Sequence, residues 1–387
     1  MATPLSIDDL RSLARKRLPR IVFEVIESGV EDERGLTRNT EAFAQRHFLP
    51  RYLVDVSHPM QVVNLLGHSY DSAFGIAPTG FAGLFRPHAD TMLARAAAVA
   101  NVPFILSGAS VEKLETIARV ALRHAWYHLY PARDPAITHD LLDRALQAGF
   151  THLVLTVDNP VYPNRERDTR NGFGKPWWQL RPSVLADALM HPSWLAAYLR
   201  DGGMPVLQNW APYVNNSRDG FEVARFFRSQ SPTVQTWQDL AELRARWPGK
   251  LILKGILHPD DAVRATDLGI DGIIVSNHGG KSCDGLPSPL DTLPGIAAAV
   301  GTRIDVMFDS GIRRGADIVM AMCLGAKFCF VGRPTLYGVT AMGQPGVARA
   351  IDILNREVEI TLALIGCRST QDLSPAFLVP RSPPQAR

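Results

Sequence analysis

The chain has 387 residues, of which 46% are hydrophobic and 20% are charged, and its formal net charge is +3. A charge this small, without a basic run, argues against a nucleic acid partner. The N-terminus shows no signal-peptide pattern, no apolar run reaches the roughly 18 residues of a membrane span, and the cysteines lack the spacing of a zinc site. We therefore expect a cytoplasmic protein with reduced cysteines and no metal site.

Residues 1–70 are predicted to form a helical segment. Short apolar runs rich in β-branched residues follow, and such runs are typical of strands. In chain order these runs are Phe74–Ala77, Phe104–Ser107, Trp126–Tyr130, His152–Asp158, Leu251–Gly255, Gly272–Asn277, Asp305–Ser310 and Phe328–Gly332. Most gaps between them contain stretches with helical periodicity. Examples are Ala89–Ala100, Ile137–Ala148, Trp237–Trp247, Pro259–Leu268, Pro289–Val300 and Arg314–Leu324.

This alternation predicts the fold class α/β, as a (β/α)8 TIM barrel of parallel strands. Such a barrel takes about 250 residues, so the chain has room for additional segments. We predict that the barrel occupies residues 71–375 and that a long insertion follows the fourth strand, at about residues 160–232. The proline-rich residues 376–387 are predicted to form a flexible tail.

Polar residues lie near the end of every predicted strand, where barrels of this kind carry their chemistry. One such residue is readily explained as structural, but many converging ones are not, because an unpaired buried polar group is costly. In chain order they are Pro78, Thr79 and Gly80, then Ser107, His128, Tyr130, Thr156, Asp158, Lys254, Ser276, His278, Asp309, Ser310 and Gly311, and finally Gly332 and Arg333.

His278 is the candidate catalytic base among these residues. It follows the apolar run Gly272–Val275 and precedes two glycines that can bend the chain sharply. Histidine titrates near neutral pH, which suits proton transfer. A lone histidine is more often structural, and the polar ends of the other strands are what favour a catalytic role.

Glycine-rich turns after the last two strands predict a phosphate site. Asp309–Gly315 opens a helix, and Gly332–Arg333 follows the next strand. Glycine lets backbone N–H groups approach an anion, a helix N-terminus favours negative charge, and arginine supplies a forked donor. Each turn alone is equally well explained as a tight turn, but barrels frequently bind phosphate with these two loops.

Lys254 lies within the predicted fifth strand, and a buried lysine almost always has a partner. A phosphate-bearing cofactor would be such a partner. Pyridoxal phosphate would bond covalently to the lysine, whereas flavin mononucleotide (FMN) would receive charge stabilisation for its reduced ring. The nearby His278, Tyr130 and Asp158 favour FMN.

Several motifs together resemble the FMN-dependent 2-hydroxy acid oxidising family, which includes glycolate oxidase, lactate dehydrogenase and mandelate dehydrogenase. They are Ser276-Asn-His-Gly-Gly, Asp309-Ser-Gly-Ile-Arg-Arg-Gly, Ala77-Pro-Thr-Gly, Leu253-Lys-Gly-Ile, and Thr156-Val-Asp with Asn164-Arg-Glu-Arg-Asp168. The resemblance runs from about Leu18 to about Leu373 and is strongest to the mandelate dehydrogenase branch. It implies FMN-dependent oxidation of a 2-hydroxy acid, or of a related alpha-substituted acid, to the 2-oxo product by a homotetramer.

The resemblance also implies a role for each matching residue. His278 would take the substrate proton as two electrons pass to flavin N5, and Asp158 would stabilise the resulting imidazolium. Tyr130 would hydrogen-bond the substrate oxygen, and Arg165 would bind the substrate carboxylate. The residues that would bind FMN are Pro78, Thr79, Gly80, Ser107, His128, Thr156, Lys254, Ser276, Asp309, Gly311, Arg313, Gly332 and Arg333.

Three positions depart from the family pattern. Lys281 replaces an arginine that helps to bind the carboxylate, and lysine keeps the charge but loses the bidentate fork. Val25 appears where the N-terminal helix usually presents a tyrosine, and His128 replaces a glutamine that faces the flavin. We therefore place Arg165, Lys281 and Val25 in the substrate site and predict an atypical substrate.

Partners follow from the same reasoning. The electron acceptor stays open between oxygen, a quinone and a carrier. The tryptophan-containing insertion is interpreted as a lid, a subunit contact or a membrane contact, of which the membrane contact is not favoured. Other FMN-barrel chemistry, such as isomerisation, and a flavin-binding homologue without turnover are the alternative functions. The pairing of His278 with Asp158 disfavours isomerisation. The retention of His278, Asp158, Tyr130 and Arg165 argues against a loss of turnover.

Overall fold

The N-terminal segment of the computed structural model, which describes residues 3–379, contains three helices and a hairpin. The elements are α1 (Ile7–Arg17), α2 (Arg20–Glu27), α3 (Arg34–Ala44), β1 (Val63–Leu65) and β2 (His68–Tyr70). A capping box starts α1, since Ser6 Oγ accepts a hydrogen bond from Asp9 N and the Asp9 carboxylate accepts one from Ser6 N. The sequence analysis predicted helices here but not the hairpin.

Eight parallel strands form a closed barrel, which confirms the predicted (β/α)8 fold. The strands are β3 (Phe74–Ile76), β4 (Phe104–Leu106), β5 (Ala125–Leu129), β6 (His152–Thr156), β7 (Lys250–Ile256), β8 (Gly272–Val275), β9 (Asp305–Phe308) and β10 (Phe328–Val331). Each overlaps one of the predicted apolar runs. The last strand closes the barrel by pairing with the first, and Phe330 lies opposite Gly75 in this pairing.

Helices surround the barrel and complete the insertion. They are α4 (Ala82–Phe85), α5 (Ala89–Val99), α6 (Leu114–Ala121), α7 (Pro135–Gln147), α8 (Glu166–Asn171), α9 (Pro182–Leu189), α10 (Pro192–Arg200), α11 (Gly220–Gln230), α12 (Trp237–Arg246), α13 (Pro259–Asp267), α14 (Pro289–Val300), α15 (Gly315–Cys323), α16 (Arg333–Met342) and α17 (Gln344–Ile365). Short 3-10 helices lie at Trp177–Gln179, Ala211–Val214, Thr370–Asp372 and Pro375–Phe377. Helices α8–α11 fall between β6 and β7, within the predicted insertion.

The N-terminal end of the barrel is filled and covered. The rings of Phe328 and Phe330 lie 5.4 Å apart inside it, and Trp126 stacks on His152 at 4.8 Å. The β1–β2 hairpin covers this end, where Leu66 N donates to Asp305 Oδ2 at 3.0 Å. This packing leaves the opposite end of the barrel for chemistry.

The N-terminal helices bind to that opposite end. Asn39 of α3 and Asn277, which follows β8, are buried and exchange two amide hydrogen bonds of 2.8 and 2.7 Å. One turn earlier, Gly35 N donates to Asp284 Oδ1 at 2.6 Å. The loop after β8, which carries His278, is therefore held by α3 through contacts that are remote in sequence.

Within residues 3–379, none of the helices combines the length and apolar character that crossing a bilayer requires. Of the predicted tail, residues 376–387, the structure describes residues 376–379, where Phe377 and Leu378 are buried, and the rest lies outside the described residues. The predicted domain boundaries stay predictions.

Candidate active site

A cavity opens at the carboxyl ends of the barrel strands. The predicted site residues that line it are Val25, Pro78, Thr79, Gly80, His128, Tyr130, Arg165, Lys254, His278, Lys281, Asp309, Gly311, Arg313, Gly332 and Arg333. The other predicted residues, Ser107, Thr156, Asp158 and Ser276, do not line the cavity. Each of them hydrogen-bonds a residue that does.

His278 and Asp158 form a hydrogen-bonded pair. His278 Nδ1 lies 3.0 Å from Asp158 Oδ1, and the two side chains are 17% and 5% exposed. Because an ionised carboxylate can only accept hydrogen bonds, Nδ1 of His278 carries the hydrogen and Nε2 is the basic nitrogen. Burial alone would raise the pKa of Asp158, but attraction to His278 and its hydrogen bond bring that pKa below its usual value.

The backbone around this pair is unusual. His278 has a left-handed conformation with φ of 59°, and Gly279 and Gly280 continue it with φ of 66° and 76°. A histidine in this region is strained unless its surroundings fix it, and such strain occurs mainly at functional sites. The space beside Asp158 is equally restricted, since a Cβ on Gly255 would lie 2.5 Å from the Asp158 Cβ. A side chain at Gly255 would displace the carboxylate.

Lys254 is buried and has two polar partners. Its Nζ lies 3.0 Å from Asp309 Oδ2 and donates to Ser276 Oγ at 2.9 Å. Ser310 Oγ donates to the other oxygen of Asp309 at 2.9 Å. The ammonium therefore lies on the cavity wall with its position set by β8 and β9.

His128 and Tyr130 lie side by side on the β5 side of the cavity. Their rings are 4.5 Å apart in an edge-to-face arrangement, and His128 Nε2 hydrogen-bonds Thr156 Oγ1. Burial, and then repulsion from Lys254 and His278, lower the pKa of His128 well below its usual value, which keeps it neutral. Burial and the Asp158 charge raise the pKa of Tyr130, so its hydroxyl remains a proton donor.

Cations with unused hydrogen-bonding capacity face the same space. Arg165 Nε is buried without a partner, and its guanidinium lies 6.0 Å from the ring centre of Tyr162. Lys281 Nζ donates to the main-chain oxygen of Val25 at 2.7 Å. Burial, and then repulsion from Arg333 and Arg165, lower the pKa of Lys281 well below its usual value.

Arg333 makes contacts that the sequence analysis did not predict. Its guanidinium donates to the main-chain oxygens of Ile26, Ser28 and Gly279 at 2.9, 3.2 and 3.0 Å. Arg333 thus binds the C-terminal end of α2, where helix carbonyls are unsatisfied, and joins it to the loop of His278. Arg313 and the start of α16, which has no side-chain cap, are the groups that remain to bind an anion on this side of the cavity.

These residues fit FMN. Thr79 Oγ1 and His128 Nδ1 are buried without partners on the cavity wall, which suits the polar edge of a flavin. Lys254 supplies a positive charge beside them, and the α16 start with Arg313 suits a phosphate. A lysine that is already paired with Asp309 fits less well as the covalent partner of pyridoxal phosphate.

Several cavity residues come from the insertion and were not predicted. Tyr162, Phe173, Met204, Phe227 and Arg228 line the side of the cavity that faces solvent. Of these residues, Tyr162 would have been the easiest to predict, since it is three residues before Arg165. The others are far from every motif in the sequence, and only the folding of α8–α11 brings them to the cavity.

The closed parallel barrel, the buried lysine, the His–Asp pair and the uncapped start of α16 at the cavity together fit the class of flavin-dependent barrel enzymes. The sequence matches the family described as FMN-dependent dehydrogenase over residues 14–380. The chain therefore belongs to the FMN-dependent dehydrogenase family, as its motifs predicted, and it is an enzyme with FMN as cofactor.

Relatives extend over almost the whole chain. The (S)-mandelate dehydrogenase of Pseudomonas putida is 40% identical over 374 residues, covering 96% of this chain and 93% of the relative. An L-lactate dehydrogenase of Caulobacter sp. (strain K31) is 38% identical over 378 residues, covering 96% and 98%. An L-lactate oxidase of Nostoc sp. (strain PCC 7120) is 37% identical over 382 residues, covering 98% and 99%. These relatives support FMN-dependent 2-hydroxy acid chemistry for the family.

Solved structures agree with this assignment. The crystal structure of the monotopic membrane protein (S)-mandelate dehydrogenase superposes with a TM-score of 0.92 at 38% identity, covering 98% of this chain and all of that chain. A mandelate oxidase superposes with a TM-score of 0.80 at 32% identity, covering 97% and 98%. The predicted resemblance to the mandelate dehydrogenase branch is thereby confirmed.

Proposed function

We propose that the enzyme oxidises a 2-hydroxy acid to the 2-oxo acid, with His278 as the base. The observation that carries this proposal is the His278–Asp158 pair beside the unpartnered Arg165 in one cavity. Bound FMN supplies the chemistry of a two-electron acceptor. The protein must then remove the hydroxyl proton and fix the carboxylate, because the carbon releases its hydrogen with two electrons only when both are done.

Each proposed step has a residue that suits it. His278 Nε2 takes the hydroxyl proton, and the Asp158 carboxylate stabilises the charge that then develops on the ring. Tyr130 donates to the substrate oxygen, because its raised pKa keeps it protonated. Arg165 binds the carboxylate through its guanidinium, which lines the cavity, and Lys281 supplies a further N–H donor on the same cavity wall.

Lys281 and Val25 support an atypical substrate. Lys281 spends one N–H on the Val25 carbonyl, so less of its capacity remains for a carboxylate than a forked guanidinium would offer. The Val25 side chain lines the cavity and brings no hydroxyl. A substrate that presents apolar surface at Val25 suits this wall better than one with a polar atom there, which would lose a hydrogen bond.

The deciding experiment is anaerobic reduction of bound FMN by a panel of 2-hydroxy acids. His278→Asn should retain FMN but reduce it at least about 100-fold more slowly, a typical loss for a general base. His139→Asn, an exposed histidine on α7, is the matched control and should behave as wild type. Equal rates for His278→Asn and wild type would remove His278 from the mechanism.

The same panel tests the alternative functions. An FMN-dependent isomerase or a flavin-binding protein without turnover would show no loss of oxidised flavin absorbance with any 2-hydroxy acid. That outcome in the wild-type protein would contradict the proposed oxidation. If a 2-hydroxy acid does reduce the flavin, re-oxidation of the reduced enzyme by oxygen, by a quinone or by a protein carrier would identify the electron acceptor.

Peripheral membrane contact is the second candidate for localisation. Leu189, Met190 and Leu199 of the insertion are 68%, 78% and 64% exposed, whereas Trp194 is buried and donates to Leu84 O. Part of this stretch therefore packs on the protein, and only its outer face is free. Co-sedimentation with anionic vesicles that Met190→Glu abolishes, and that Val99→Glu on α5 leaves intact, would establish the contact. Protein that stays in the supernatant would contradict it.

A further inference from the structure

One wall of the cavity is apolar and also carries a cation. The residues of this wall come from the insertion and include Phe173, Met204, Phe221 and Phe227. The Tyr130 ring, proposed to contact the reacting oxygen, packs against Phe227 with ring centres 6.0 Å apart. The apolar wall therefore lies beside the proposed reacting centre, and the exposed Arg228 lines the same cavity.

Arg228 is positioned but not neutralised. Its Nη1 would lie 3.2 Å from a Cβ on Gly174, so the guanidinium rests directly against a glycine whose φ is 82°. Among residues 3–379, no carboxylate forms an ion pair with Arg228. Arg225, on the same helix and also exposed, does not line the cavity.

The cations of the cavity outnumber the charges assigned so far. Arg165, Arg228, Lys281, Arg313 and Arg333 line it, and Lys254 is paired with Asp309. Arg313 and the α16 start account for a phosphate, Arg333 is engaged by carbonyls of α2, and Arg165 with Lys281 accounts for one carboxylate. Arg228 is the cation left over, and a cleft lined by one sign of charge selects ligands of the opposite sign.

We propose that the substrate is a 2-hydroxy acid whose side chain ends in a second carboxylate, and that Arg228 binds this distal group. The apolar wall packs on the methylene chain between the two carboxylates. The inference rests on the proposed 2-hydroxy acid oxidation and names its substrate class. Arg228 is then a specificity-determining residue, remote from the bonds that change.

The test compares substrates that differ only at the far end. A series of 2-hydroxy dicarboxylic acids of increasing length is paired with the same acids carrying a terminal carboxamide. Wild-type enzyme should reduce its FMN with at least one dicarboxylate about tenfold more efficiently, in kcat/KM, than with its amide partner, as expected for one charge-assisted contact. Titration calorimetry should give the same ratio between the binding constants of the matching 2-oxo dicarboxylate and of its terminal amide.

Variants of α11 locate the effect. Arg228→Gln should abolish the preference by lowering kcat/KM for the dicarboxylate much more than for its amide partner, and Arg228→Lys should retain part of the preference. Arg225→Gln is the matched control and should keep the full preference. Equal efficiency for both members of every pair, or a preference that survives Arg228→Gln, would overturn the assignment.

Two further outcomes are distinguishable. If Arg228 only attracts anions towards the opening, Arg228→Gln will lower the association rate, more for the doubly charged dicarboxylates than for the singly charged amides, and will leave the dissociation rate of the 2-oxo dicarboxylate unchanged. An effect confined to association overturns a distal binding site. If no 2-hydroxy acid, mono- or dicarboxylic, reduces the flavin, the proposed oxidation itself fails and this inference fails with it. Oxidation of the amides alone would leave the proposed function intact and refute the second carboxylate.

Discussion

Replacing Asp158 by asparagine should slow flavin reduction by roughly 100-fold while FMN stays bound. Coulomb attraction between unit charges at the observed 3.0 Å is about 5 kcal/mol at an effective dielectric constant near 20, an upper value. Desolvation offsets part of it and the asparagine oxygen still accepts a hydrogen bond, which leaves about 3 kcal/mol, or two decades in rate. The penalty falls on the transition state, because only there does His278 become charged.

The assay is anaerobic stopped-flow reduction of bound FMN by the best substrate of the panel. A double-mutant cycle supplies the control: if Asp158 acts only through His278, Asp158→Asn should cost little more in a His278→Asn background. Multiplicative losses, or a single variant within roughly threefold of wild type, would refute the reasoning.

The folded pKa of Asp158 is lowered, so its contribution to stability is present above the unfolded value of 3.8 and is lost as pH falls through the folded pKa.

Three other substitutions follow from the contacts of the N-terminal segment. Lys281→Met should weaken substrate binding yet raise the Tm, because it removes a cation whose pKa is lowered by burial. Since the folded pKa of Lys281 lies below the unfolded one, the increase in Tm should be larger at mildly acidic than at alkaline pH, which thermal melts at the two pH values would show. Val25→Tyr should raise flavin reduction by glycolate, lactate or mandelate and lower it for the native substrate, and wild-type turnover of lactate or mandelate at about ten per second would refute this. Arg333→Gln should release the end of α2, which hydrogen exchange would detect as faster exchange near Ile26.

The fold was predictable because each strand carries its own signal. Runs such as Gly272–Val275 are apolar, short and bounded by glycine or polar residues, and β8 has these bounds. The β1–β2 hairpin escaped prediction because strands of three residues, with burial patterns of mixed kind, carry almost no periodicity. The local sequence pattern therefore sufficed to predict the barrel but not the hairpin that covers its N-terminal end.

The candidate site divides in the same way. Residues at strand ends, such as His278 and Lys254, could be found because position in the barrel implies position at the cavity. Arg228 could not be found, since a cation on an insertion helix looks like any solvated arginine. The contacts of Arg333 with α2 were equally hidden, because they join main-chain oxygens to a side chain some 300 positions later. Sequence reports which residues can do chemistry, while long-range packing decides which of them are free to do it.

The pairing of β10 with β3 orders events during synthesis. The first barrel strand leaves the ribosome early, but its partner at Phe328–Val331 appears only near the end of the chain. Until then the barrel has two open edges, at β3 and at β9, and open edges invite pairing with other chains. The start of α16, proposed to receive the phosphate, emerges directly after β10. The newborn protein is thus most exposed to aggregation while it is still unable to take up its cofactor, and FMN cannot assist any step before the barrel closes.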